Sequence, residues 1–395
     1  MPTRPHRPAD DPDTTRVHAA LAPARARLRA RDAAVVQDQV TLAEIPAPTG
    51  EEAERGAWVA RRFRALGLRD VRVDAAGNVI GRRPGQARGA AGRPVAVCAH
   101  LDTVFPREVP LRVRRVGARL VGPGIGDNGR GLAAMLALAA EFDGDRLRTR
   151  RAIDFVATTG EEGLGDLRGA KRFFADAGAV HAAVALDGAG DERIVHRALG
   201  SRRFRVEFTG PGGHSWSAFG VPNAVHAAAR AATRVAAIPL EHVPRVTVSV
   251  GRIGGGISVN AIPASAWLEI DLRSTSSAML DRYEQAIRRT VHAAALEENA
   301  ERAPGTPPLA FAVTVIGDRP GGEVAPDAPL VAAAITATRL VGRAPELGTA
   351  STDANVPLGL GVPAVAIGAG GRGGDAQAPE EWFENADGAA GIARA

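Results

Sequence analysis

Four short apolar runs punctuate the first and last parts of the chain, at residues 95–99, 153–158, 182–186 and 364–367. None alternates polar and apolar positions as a half-buried strand does, so they predict strands covered on both faces, as in a parallel sheet. Helical stretches precede the first of them. One runs to Glu44 and is stopped by Ile45-Pro46-Ala47-Pro48. Thr49-Gly50-Glu51-Glu52 then reads as a capping box for a helix reaching Ala65. Strand and helix in alternation predict an α/β layered sheet.

The segment from 200 to 318 has a different rhythm. Residues 201–208 alternate like a strand, 223–237 form an Ala-rich helical pattern, and 245–252 and 266–273 are strands. A helix over 280–299 and a strand over 310–316 complete the set. That β-α-β-β-α-β order is the ferredoxin-like pattern, so an α+β domain is predicted as an insertion into the sheet domain. The expected organisation is a disordered N-terminal tail over 1–30, a sheet domain over 31–199 and 319–395, and the inserted domain over 200–318.

Three of the buried runs end on chemistry. His100 and Asp102 follow the first, Glu161 and Glu162 the second, and Asp187 the third. Ligands of open α/β sheets bind beyond the carboxyl ends of the strands, so these residues are predicted to converge on one sheet edge. Like charges repel, and a cluster of acids persists near neutral pH when a cation sits between its members. With Asp127, the set offers imidazole and carboxylate donors that suit zinc. Taken singly, each has a plainer reading. Asp102 suits a loop cap, Asp127 the N-cap of the helix that follows, Glu161-Glu162 a solvated turn and His214 a turn in a Gly-rich loop.

Composition removes several alternatives. At 395 residues the chain suits two domains, and 45% apolar with 24% charged residues is ordinary for a globular protein. No apolar run reaches the roughly 18–20 residues that span a bilayer, and the N-terminus has no apolar leader core, so a cytoplasmic, non-membrane protein is expected. The net charge of +5 does not imply nucleic acid, because no Arg cluster is interleaved with aromatics. Cys98 is alone, within an apolar run, which rules out an intrachain disulfide or a thiolate-rich metal site. No Gly-rich phosphate loop of the usual form follows a strand.

In combination, four motifs resemble the M20 metallopeptidase family: His100-Leu101-Asp102-Thr103-Val104, Gly124-Ile125-Gly126-Asp127-Asn128-Gly129, Thr159-Gly160-Glu161-Glu162-Gly163 and Leu186-Asp187-Gly188. The resemblance covers roughly residues 35–383. It implies a zinc-exopeptidase-like mixed sheet flanked by helices, with the ferredoxin-like insertion serving as dimerisation or lid domain of a homodimer. It implies two Zn2+ per subunit, with Co2+ or Mn2+ as substitutes. His100 and Asp187 would hold one ion, Glu162 the other, and Asp127 would bridge them through a cis Asp127-Asn128 peptide. Asp102 would orient His100, and Glu161 would act as general base toward the attacking water. His214, in Gly212-Gly213-His214-Ser215, would reach the neighbouring subunit's site to stabilise the oxyanion. Asn260 and Arg273 would hold a substrate carboxylate. The implied substrate is a di- or tripeptide or an N-acyl amino acid. His181, His196, His226, His242 and His292 match no motif.

One ligand departs from the pattern. The family's second zinc takes a C-terminal histidine five residues before a Trp; here Trp382 follows Gln377, and no histidine occurs after His292. A Gln amide oxygen is a neutral, weak zinc ligand. Gln377, or Asp375 in its place, would complete the second site. Three outcomes stay open: a one-zinc hydrolase, a two-metal hydrolase of reduced affinity, and a non-catalytic relative that binds peptides.

Overall fold

The computed structural model describes residues 12–87, 92–142, 147–176 and 180–395. Two compact units emerge, one from residues 1–196 and 323–395, the other from Arg197–Gly322. The predicted boundaries of 200 and 318 lie a few residues inside these.

The first unit is built on a nine-stranded mixed sheet. At its centre Ile153–Thr158, Val95–His100, Ala182–Leu186 and Ala364–Ile367 lie side by side, each parallel to its neighbour. These are the four apolar runs. Every residue of Ile153–Thr158 and Ala364–Ile367 is buried, which explains their unbroken apolar character. Val79–Arg83 pairs antiparallel with Ile153–Thr158, and Arg193–Ala198 antiparallel with Ala364–Ile367, making the sheet mixed. The helix Gly129–Glu141 is buried along nearly its whole length, with Leu132, Ala133, Ala134 and Met135 in the core. Its Gly131 has no room for a side chain, because a Cβ would collide with Asn128 Oδ1 and the Leu186 carbonyl.

Two expectations need correction. Residues 12–30 are not a disordered tail; Pro12–Ala30 is a helix that packs on the C-terminal helix Gly388–Arg394 and on Gly129–Glu141. Its polar composition hides the anchors, which are tertiary: Ala24 and Leu28 are buried, and Arg27 Nε donates to Glu141 Oε2 at 2.8 Å. Residues 1–11 lie outside the described residues. Thr49 also does not cap the helix Ala53–Ala65; its hydroxyl donates elsewhere, and Glu52 holds the N-cap position without a side-chain cap bond. The helix starts only at Ala53, beyond the two or three residues an N-cap side chain spans, and the Thr49 hydroxyl donates to the Asp102 carboxylate instead.

The second unit has a four-stranded antiparallel sheet in the order Val246–Gly255, Ser265–Ser274, Gly200–Thr209, Ala310–Arg319. Helices Ala224–Ala236 and Ser277–Ala300 pack on this sheet, with Phe204, Leu268, Leu280 and Ile287 in a separate core. This is the ferredoxin-like arrangement. Each strand runs a residue or more past its predicted end in at least one direction, because pairing carries the ladder beyond the alternating stretch.

Arg55 connects the sheet unit's packing to its polar edge. It is fully buried, and its guanidinium donates to the Ile45 carbonyl and, at 2.7 Å, to the Leu101 carbonyl. Burial lowers its pKa to about 10, with Asp102 and Glu52 opposing, so it stays cationic at neutral pH. Arg55→Met removes those donors and leaves the buried Leu101 carbonyl and the half-buried Ile45 carbonyl without them. Urea denaturation should show a loss of at least about 2 kcal/mol; an unchanged midpoint would contradict this account.

Candidate functional site

Parallel strands deliver their carboxyl ends to one edge of the sheet, and the predicted acids meet there. His100 is the last residue of its strand and Asp102 lies two residues beyond; both are buried. Glu161 and Glu162 follow Ile153–Thr158 and are also buried. Asp187 follows Ala182–Leu186, and Asp127 sits in the turn before Gly129–Glu141.

His100 lies at the middle of the cluster. Its Nδ1 is 3.1 Å from the Asp102 carbonyl oxygen and 3.5 Å from Asp102 Oδ1. That contact places the ring proton on Nδ1 and aims Nε2 at the acids. Nε2 is 3.0 Å from Asp127 Oδ1 and 3.8 Å from Asp187 Oδ1. Single ligand atoms of His100, Asp127 and Glu162 lie within 4.8 Å of one another. A neutral imidazole lone pair facing carboxylate oxygens is repulsive. The geometry therefore requires a positive charge between them, either a second proton on His100 or a cation. Burial alone would push the imidazole's pKa down, but Asp102, Asp127 and Asp187 outweigh it and hold it well above its ordinary range. One imidazole with hard carboxylates fits zinc, cobalt or manganese.

The backbone around the cluster is pinned by two further buried acids. Asp102 Oδ1 accepts from the Glu161 N–H at 2.9 Å, and Oδ2 from the Glu162 N–H at 2.8 Å and the Thr49 hydroxyl at 2.9 Å. Burial raises its pKa, yet His100 and those backbone donors bring it down to about 2. Glu52 accepts from Gly50 and Gly160 N–H groups and from Arg168. Asn128, not Asp127, is the N-cap of Gly129–Glu141; its Oδ1 accepts from the Gly131 and Gly188 N–H groups and its Nδ2 donates to Leu186. The Asp127-Asn128 peptide is cis. Behind His100, Thr158 Oγ1 donates to the buried Asp353, whose pKa burial raises to about 6.

Sequence reasoning missed Glu381. It is buried, and its carboxylate accepts three backbone N–H groups of the Asp127 turn: Gly124 at 3.0 Å, Gly126 at 2.7 Å and Asp127 at 2.7 Å. The only signal was the Glu380-Glu381 pair before Trp382. Gln377, four residues earlier, has φ of +65° and donates its amide Nε2 to Glu162 Oε1 at 3.2 Å and Oε2 at 3.1 Å. Burial, with Asp127, Asp102 and Asp187 nearby, raises the Glu162 pKa against the pull of His100. Asp375 is exposed and does not join the group of ligand atoms around His100.

In the second unit, His214 and Asn260 are brought together. Gly213–His214 pairs with Ala261–Ile262, and the Ser215 N–H donates to the Asn260 carbonyl. Arg273 is elsewhere, near the end of Ser265–Ser274, with Nε donating to Asp271 Oδ2 at 2.6 Å. Of the unassigned histidines, His196 bonds the Val324 carbonyl and His292 stacks on Phe311.

These features define an α/β protein with a candidate divalent-metal centre at the carboxyl edge of its sheet. The chain belongs to peptidase family M20/M25/M40, whose model matches residues 96–394. It is 26% identical over 288 residues to a probable carboxypeptidase from Aspergillus clavatus, a match covering 67% of this chain and 61% of that relative's length. Among solved structures, a tripeptidase from Staphylococcus aureus superposes with a TM-score of 0.72 at 21% identity, over 91% of this chain and 95% of that one. The aminopeptidase PepT from Bacillus cereus gives 0.70 at 23% identity with the same coverage. A dinuclear metal binding peptidase of the M20 family from Bacillus subtilis gives 0.65 at 16% identity, over 93% and 97% of the two chains. At these identities the structural likeness establishes the fold.

Glu381→Gln replaces one accepting oxygen by an amide that points N–H at N–H and loosens the Asp127 turn. Zinc affinity by competition with a chromophoric chelator should fall about 10–100-fold, the usual effect of losing a group that supports a metal ligand. Unaltered affinity in folded protein would remove Glu381 from the site.

Proposed function

We propose that the chain is a metal-dependent hydrolase of amide bonds in small carboxylate-bearing substrates, namely di- or tripeptides or N-acyl amino acids. The observation that carries this reading is His100 Nε2 set 3.0 Å from Asp127 and 3.8 Å from Asp187, with Glu162 closing the cluster. Those four side chains are the proposed metal ligands. A bound divalent cation would polarise the scissile carbonyl and lower the barrier to attack by water.

Glu161 is the proposed general base. Its backbone is fixed by Asp102 and it adjoins the ligand Glu162, so its carboxyl belongs to the same edge. The zinc, cobalt or manganese identity follows from the donor set. A cytoplasmic, peptide-processing role is part of the same reading, and among the described residues no helix is long and apolar enough to cross a membrane.

Asn260, His214 and Arg273 are proposed to touch substrate, and their separation bears on assembly. Arg273 pairs with Ser201, eight residues along the strand from Ser265, which is about 27 Å at roughly 3.4 Å per residue. Asn260 lies beyond the other end. One small substrate cannot reach both sets within one copy of this unit, so a homodimer supplying His214 and Asn260 from the partner accounts for all three. The same two loops expose Trp216, Phe219, Ile257 and Val259 almost completely. Several large apolar side chains exposed on two paired loops are usual at protein interfaces.

A non-catalytic peptide binder is the second reading, motivated by Gln377 on Glu162. Turnover separates the two. Zinc- or cobalt-loaded protein should release amino acids from a panel of di- and tripeptides and N-acyl amino acids, and Glu161→Gln should cut kcat about 10²–10⁴-fold with metal content unchanged. No turnover by folded, metal-loaded dimer would favour the binder. Trp216→Glu combined with Ile257→Glu should shift the sedimentation coefficient from dimer to monomer, and a wild-type monomer would refute the two-copy site.

A further inference from the structure

We propose that the centre takes one divalent cation per chain instead of a pair, because the amide of Gln377 occupies the side of Glu162 on which a second cation would need a ligand. The inference rests on the metal-hydrolase reading above. A second cation beside the first would draw on Glu162 and share Asp127. It would then need at least one further strong protein donor, since structural and catalytic zinc ions keep three or four.

The described residues do not supply it. The one group of His, Cys, Asp or Glu side chains with converging ligand atoms is His100, Asp127 and Glu162. Asp375, four residues after Gly371 and the nearest acid in the chain to Gln377 on its N-terminal side, is exposed and outside that group. No histidine follows His292 in the sequence.

What stands at the open side of Glu162 is a neutral group with the wrong polarity. Gln377 Nε2 lies 3.2 Å and 3.1 Å from the two Glu162 oxygens, so its hydrogens fork across both. That arrangement satisfies the carboxylate as an acceptor without neutralising it. Turned over, the amide would set its oxygen against two carboxylate oxygens and would gain only a weak, neutral donor for a metal. The residue has φ of +65°, a conformation His adopts more readily than most non-glycine residues. The backbone at 377 is thus compatible with the stronger ligand, and the substitution is a local change of side-chain chemistry.

Metal content decides the matter independently of turnover. Protein dialysed against a modest excess of zinc and passed through gel filtration should hold about one zinc per chain by plasma mass spectrometry, and Gln377→His should hold about two. Zinc calorimetry should show a single binding phase in the first protein and two in the second. Two zinc ions per wild-type chain would overturn the proposal, as would one per chain in both proteins, since Gln377 would then not be the limiting group. A folded wild type with no zinc would instead refute the metal-hydrolase reading itself.

Discussion

Asp102 is the constraint on which the site depends. It is buried, its two oxygens hold the backbone N–H groups of Glu161 and Glu162, and it backs the Nδ1 side of His100. One carboxylate therefore fixes the relative position of two strand ends. The Asp102 backbone carbonyl, 3.1 Å from Nδ1, selects the His100 tautomer and directs the free ring nitrogen to Asp127 and Asp187. The charge that would be costly in a buried place is compensated by fixed donors on every side. For that reason Asp102 stays ionised down to about pH 2, while burial pushes Glu162 the other way.

That contrast separates the frame from the acids clustered around His100. At about 4 Å and an effective dielectric of about 20, two like charges repel by roughly 4 kcal/mol. Asp102 and Glu52 avoid the problem by facing N–H groups, a hydroxyl and arginines. Asp127, Glu162 and Asp187 face each other and one imidazole, so their repulsion remains until a cation or proton arrives. The sheet holds the frame rigid through buried parallel strands, and the acids that need compensation are confined to turns at its edge. Packing and chemistry are divided along the same line.

The residues of the cluster are far more legible in the sequence than the frame that holds them. His100, Asp127, Glu161, Glu162 and Asp187 follow apolar runs or precede a helix, and their position at strand ends follows from the run itself. The inserted unit was visible too, because alternating strands and two helices have periods that survive in the sequence. Glu381 and Glu52 were not legible as supports. Each acts by accepting backbone N–H groups up to about 257 residues away, and a contact of that kind imposes no period on either segment. Thr49 was misread because a Thr-Gly-Glu-Glu string fits a helix cap equally well; only the arrival of Asp102 from another strand decides where its hydroxyl goes. For the stretch before Glu44 a helical pattern was legible, but the packing that orders Pro12–Ala30 was not, since its polar composition says nothing of the contacts that bury Leu28.

The segment from Gln377 to Glu381 shows how one short stretch can vary at one end while the other end keeps its contacts. Its two ends serve different partners: Gln377 meets Glu162, and Glu381 holds the Asp127 turn by three backbone hydrogen bonds. The second contact is buried and multiple, whereas the first is a neutral fork at the exposed side of one carboxylate. Replacing the group at 377 alters what Glu162 sees and leaves the Asp127 turn in place. His100 is insulated further, because Asp102 orients it from the opposite side. The Glu162 side and the His100 side of the cluster are therefore supported by separate pieces of the frame, so a change at 377 can alter the first while the second keeps its geometry.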